Sequence, residues 1–168
     1  RHMVDIAKES LQDIPATKND EFDNYIYKSP LGVIFVMAPW NYPIITATNT
    51  IVPALLAGNT LVLKHSSQTP MCAELINKAF ENTGLPEGVF QFVHTNHQAC
   101  EKIISDPRVS HVVFTGSVRG GQEVKKYIGT RFINVGLELG GKDPAYVRAD
   151  ADVNHAVENL VDGALFNS

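Results

Sequence analysis

Asn41, Lys64, the pair Gly116-Ser117 and Glu138 are the residues of this sequence whose types and placement could do chemistry. Asn41 sits in Pro39-Trp40-Asn41-Tyr42, at the end of an apolar run and just before Pro43. An amide at the mouth of a buried strand can donate to a developing oxyanion, and such donors contribute roughly 2.7–4 kcal/mol in a transition state. Lys64 closes the run Leu61-Val62-Leu63, where an ammonium either binds ribose hydroxyls or a phosphate or snorkels to solvent. Gly116-Ser117 precedes a helical stretch, so it either offers amides and the helix dipole to a phosphate or acts as a simple N-cap. Glu138 lies in Val135-Gly136-Leu137-Glu138-Leu139, where a carboxylate is expected to be largely desolvated. Burial raises a carboxylate's pKa and suits it to act as a general base, the competing reading being a structural carboxylate paired with Lys142 or a backbone amide.

Positioning these groups requires elements whose ends converge. Helical spacing of Met3, Ile6, Ala7 and Leu11 predicts a helix over 3–11, followed by a polar linker to residue 20 and a short strand at 25–27. From there strand and helix alternate: strands at 33–37, 60–63, 89–93, 111–114 and 133–137, with a last one at 145–147. Helices are expected at 44–56, 71–82, 98–105, 118–128 and 153–166, the last with Ala156, Leu160, Ala164 and Leu165 facing inward. The helix over 71–82 has the fullest signals, with Thr69 as its N-cap, Pro70 at its first position, and Gly84 and Pro86 beyond its end. Strands without polar alternation are buried on both faces. The fold class is therefore α/β, an open doubly wound parallel sheet, Rossmann-like, with helices on both faces. Ligands bind such sheets at the carboxyl ends of the strands, and all four candidate positions fall there.

Bulk properties narrow the function. A chain of 168 residues with 44% hydrophobic and 19% charged content can bury a real core. A net charge of -4 offers no footprint for nucleic acid. No apolar run approaches the length of a membrane span, the best being 33–38, so neither membrane nor nucleic acid is expected as a partner. Two cysteines, Cys72 and Cys100, make no disulfide framework, and a reducing, cytoplasmic setting is the default expectation. Residues 136–142 fit the spacing of a phosphate-binding loop, but Asp143 stands where a magnesium-holding hydroxyl belongs and Pro144 disfavours helix. His94, His97 and Cys100 could be drawn as a metal site, yet no fourth ligand is evident and a polar strand-to-helix turn explains them better. No metal is expected.

In combination, Pro39-Trp40-Asn41-Tyr42-Pro43, Lys64 with Gln68-Thr69-Pro70, Gly84-Leu85-Pro86-Glu87-Gly88-Val89, Phe114-Thr115-Gly116-Ser117 and Glu138-Leu139-Gly140-Gly141-Lys142 resemble the aldehyde dehydrogenase superfamily from Pro30 to Ser168. The resemblance implies NAD- or NADP-dependent oxidation of an aldehyde to an acid through a cysteine thiolate, with residues 1–29 leading into a coenzyme-binding domain over 30–168. By that likeness Asn41 would hold the oxyanion and Glu138 would activate the deacylating water. Trp40, Lys64, Ser67, Gly116, Ser117, Gly121 and Leu139 would line or bind the cofactor. Ser67 stands where the family often has a glutamate that accepts from both ribose hydroxyls, which makes NADP use plausible without deciding between the two cofactors.

Phe166-Asn167-Ser168 resembles the approach to the family's nucleophile, and neither Cys72 nor Cys100 lies in a motif that could replace it. The expectation is a cofactor-binding portion that does not turn over alone, belonging to a parent that forms dimers or tetramers by family habit. Two rivals remain: an acyl-phosphate or acyl-CoA reductase on the same fold, which has no need of Glu138, and a nucleotide-binding module or pseudoenzyme, which needs neither Asn41 nor Glu138.

Overall fold

The computed structural model describes residues 1–18 and 21–166. An N-terminal helix α1 (His2–Ser10) leads into two short antiparallel strands, β1 (Ile14–Lys18) and β2 (Asp23–Ile26). β1 falls inside the stretch expected to be a polar linker. Pro15 hides the strand signal, and the pairing of Ile14 with Ile26 supplies what local composition does not.

The body is a five-stranded sheet in the order β5-β4-β3-β6-β7, every neighbouring pair parallel. Its strands are β3 (Val33–Ala38), β4 (Thr60–His65), β5 (Phe90–Phe92), β6 (Val109–Gly116) and β7 (Asn134–Leu139). The connecting helices are α2 (Pro43–Leu56), α3 (Met71–Phe80), α4 (His97–Ser105) and α5 (Val118–Ile128). Ile34, Val36 and Ala38 of β3 face Ala47, Ile51 and Ala54 of α2 and Ala73 and Ile76 of α3. The alternate residues Phe35 and Met37 face Cys100 and Ile104 of α4 and Val124 and Ile128 of α5. This period of two explains the unbroken apolar run of β3: each residue enters one of two cores. The chain steps outward from β3 to β4 and β5, then returns to lay β6 on the other side of β3, so β3 and β6 flank the point where the winding reverses.

Several local expectations change. Thr69 does not cap α3; its hydroxyl bonds the His65 ring instead, and Pro70 takes the cap position without a side-chain bond. No strand forms at 145–147, where the chain is irregular and β7 remains the outermost strand of the sheet. The final helix α6 (Val153–Leu165) forms as expected, capped by the Asp152 carboxylate on the His155 amide, but it has no buried residue. Ala156 and Leu160, expected to face inward, line instead an open pocket shared with Tyr146 and Arg148 of the irregular segment. Of the predicted approach 166–168, residues 167 and 168 lie outside the described residues. Among the described residues, no helix is long and apolar enough to cross a membrane.

Candidate active site

A cleft of about 1080 Å³ runs along the carboxyl edge of the sheet, and the ends of all five strands line it. Pro39, Trp40 and Asn41 follow β3; Lys64, Ser66 and Ser67 come from the end of β4; Phe114 to Ser117 end β6; Glu138, Leu139 and Gly140 end β7. Asn41, Glu138, Trp40, Lys64, Ser67, Gly116, Ser117 and Leu139 are thus brought to one cavity. Gly121 is not part of its lining. That residue is buried in α5, where a Cβ would come within 2.7 Å of a Leu139 methyl, so its small size lets the helix close on the strand.

The turn from β6 into α5 is shaped by a ring beneath it. A Cβ at Gly116 would meet the Phe114 ring at 2.7 Å, and one at Gly120 would meet it at 2.5 Å. Only glycine at both positions lets backbone lie this low over the aromatic face. Ser117 caps α5, its hydroxyl accepting from the Gly120 amide at 3.1 Å. The first amides of the helix, at Val118 and Arg119, have no intrahelical partner and remain available to an anion in the cleft. Ser117 thus caps α5 and lines the cleft at once.

Glu138 departs from expectation. It is exposed, not desolvated, because β7 is the outermost strand and nothing in the described chain covers the residues at its end. Lys142 makes no ion pair with it among the described residues. The Gly140 amide donates to the Gly116 carbonyl at 3.1 Å, extending the β6–β7 pairing and keeping Glu138 beside the phosphate-suited turn.

Sequence reasoning missed the fifth strand end and one buried imidazole. His94, Thr95, Asn96 and His97, after β5, also line the cleft. The His94 Nε2–H donates to the Glu74 carboxylate at 2.9 Å, and Asn96 caps α4 by accepting from the Ala99 amide. Among the described residues no group of three His, Cys, Asp or Glu side chains gathers that could hold a metal ion. His65 is 3% exposed. Its Nε2–H donates to the Pro43 carbonyl at 3.0 Å, while Nδ1 accepts from the Ser66 amide at 3.1 Å and the Thr69 hydroxyl at 3.0 Å. A carbonyl can only accept and an amide can only donate, which fixes this neutral tautomer. Desolvation, opposed by the Pro43 bond and aided by the Lys64 charge, holds its pKa below the ordinary value. The signal was present in the alternation Leu61, Leu63, His65, all buried, which continues the strand two residues past its expected end.

Cys100 is buried, its thiol pushed up by desolvation and drawn partly back by the Lys64 charge; Cys72 is half-buried in α3. Neither cysteine lines the cleft.

The aldehyde dehydrogenase family pattern matches residues 1–168 in full. The chain belongs to the aldehyde dehydrogenase family. It is 38% identical over 170 residues to a succinate-semialdehyde dehydrogenase [NADP(+)] of Mycobacterium avium, an alignment covering 100% of this chain and 36% of that protein. A succinic semialdehyde dehydrogenase from Streptococcus pyogenes, solved with NADP+ as the cofactor, superposes with a TM-score of 0.85 at 30% identity, over 94% of this chain and 34% of that one. A NAD-dependent benzaldehyde dehydrogenase from Corynebacterium glutamicum gives a TM-score of 0.85 at 30% identity, over 95% and 35% respectively. The chain thus spans about a third of the length of the relatives it matches.

Proposed function

We propose that this chain forms the cofactor cleft of an enzyme that oxidises an aldehyde to a carboxylic acid with a nicotinamide dinucleotide, and that the dinucleotide is NADP. The observation that carries the reading is the meeting of Asn41, Lys64, the Gly116-Ser117 turn and Glu138 along one cleft at the reversal of the sheet. The cleft is large enough for a dinucleotide, and the two glycines over Phe114 leave room for close approach of a pyrophosphate. Bound there, the nicotinamide would accept hydride from the substrate carbon.

The residues divide the remaining work. Lys64 and the neutral Ser66 and Ser67 take the ribose end, where the lining residues from the end of β4 include no carboxylate to repel a 2′-phosphate. The relative from Mycobacterium avium and the Streptococcus pyogenes structure, both named with NADP, support that choice. The Val118 and Arg119 amides receive the pyrophosphate, and the Asn41 amide donates to the oxyanion formed when a thiolate adds to the aldehyde. The thiolate is assigned to a cysteine outside this chain, since neither Cys72 nor Cys100 lines the cleft. Glu138 takes a proton from the water that cleaves the thioester.

The test uses the whole protein that contains this chain. Asn41→Ala is expected to lower kcat by roughly 10²–10³-fold with cofactor affinity unchanged. Glu138→Gln is expected to leave a first burst of NADPH while slowing every later turnover. Absence of aldehyde-dependent NADPH or NADH formation by the wild-type protein overturns the reading.

A further inference from the structure

We infer that His65 is a positioning residue that locks the Asn41 loop and the Ser66-Ser67 loop to each other, so that the oxyanion donor and the ribose end of the cleft are held in register by one imidazole. The inference rests on the function proposed above. One edge of the ring holds the Pro43 carbonyl, two residues beyond Asn41 and at the first turn of α2. The other edge holds the Ser66 amide and the Thr69 hydroxyl, which bracket Ser67. Asn41 and Ser67 are both exposed, and among the described residues neither side chain makes a hydrogen bond that would place it. Their positions are set through their loops, and the two loops share this buried ring.

The geometry demands a histidine. Val and Leu would leave a buried carbonyl, amide and hydroxyl without their shared partner. A protonated ring would present two donors, and Nδ1 could no longer accept from Ser66 and Thr69. Burial keeps the ring neutral and therefore keeps both edges engaged. The charge of the adjacent Lys64 favours the same neutral form.

Two near-isosteric replacements separate the edges. In His65→Asn the amide oxygen falls near the Nδ1 position, so the Ser66-Thr69 side can be kept while the Pro43 bond is lost. In His65→Gln the terminal NH2 reaches toward the Nε2 position, so the Pro43 bond can be kept and the Nδ1 acceptor is lost. In the whole enzyme, His65→Asn is expected to lower kcat on the order of tenfold to a hundredfold with little change in the KM for NADP, as misplacing a catalytic donor by about an ångström does. His65→Gln is expected to raise the KM for NADP by about tenfold with kcat largely kept. Thr69→Val, which leaves the imidazole in place, should follow His65→Gln in weaker form and serves if a His65 variant fails to fold. Hydrogen exchange supplies a reading independent of turnover: residues 41–46 should loosen in His65→Asn, and residues 66–70 in His65→Gln and Thr69→Val. That split supports the lock even if the wild-type protein proves not to oxidise aldehydes. Equal changes of kcat and KM in both variants, or uniform exchange across both loops, would overturn it.

Discussion

The two walls of the cleft are built to different standards. On the β3–β4 side, Phe35 and Leu63 are 0% exposed, helices cover both faces of the sheet, and a saturated imidazole ties the loops above. On the β7 side the end of the strand is exposed, Leu139 is 39% exposed, and the following segment and α6 have no buried residue. Yet Asn41 stands on the first wall and Glu138 on the second. Placement of the first is enforced from below by packing, whereas the second is held by its strand pairing and by Leu139 closing on Gly121.

The contrast is sharpest in what truncation costs. Phe35→Ala should destabilise the chain by about 3–5 kcal/mol, because it opens a cavity inside a closed core. Leu160→Ala, on the exposed helix α6, should stay within about 0.5 kcal/mol. Paired denaturant melts measure both, and similar losses would show that α6 is as firmly packed as the sheet centre.

Neighbouring glycines of α5 give a finer version of that contrast. Gly120→Ala should cost about 1–3 kcal/mol even though alanine is the better helix former, because the Phe114 ring beneath it is packed into the second core. Adding Phe114→Leu should recover part of the loss. Gly121→Ala should cost less, about 1 kcal/mol or under, since the atoms it meets are the terminal methyls of the partly exposed Leu139, which can swing aside. Thermal midpoints of the three variants rank the walls directly.

The smallest effect concerns pH. His65 and His111 both have pKa values lowered first by desolvation, so the unfolded chain takes up protons that the folded chain resists. Stability should therefore be fully present above about pH 6.5 and decline as pH falls below it. His65→Asn should flatten part of that slope. A thermal midpoint that stays level from pH 7 to pH 5 would contradict the assignment.

The parallel sheet, the alternation of its strands and helices and four of the five strand ends that line the cleft were legible because apolar runs, glycines and helix signals repeat at short range. What escaped was decided across space. Thr69 looked like a cap because its neighbours suit one, but a buried ring four residues earlier competes for its hydroxyl. Glu138 looked desolvated because it sits among apolar residues; whether a strand is central or outermost is a property of the sheet, not of the strand. His65 passed unremarked since its three bonds reach residues as far away as Pro43. The Ala-Tyr-Val stretch at 145–147 had the composition of a strand and found no partner.

The reversal of winding between β3 and β6 also sets the order in which this molecule can be made. Val33 to Ala38 meets β4 across one helical crossover, whereas Phe35 and Val112 become neighbours only after nearly half the chain has been laid down between them. Closing the longer loop has the larger entropic cost and comes late. Every partly assembled form that lacks β6 lacks the Gly116 turn as well, and with it one side of the cleft. On the proposed function, nucleotide capture would report that β6 and its turn are in place, since intermediates without them lack that side of the cleft.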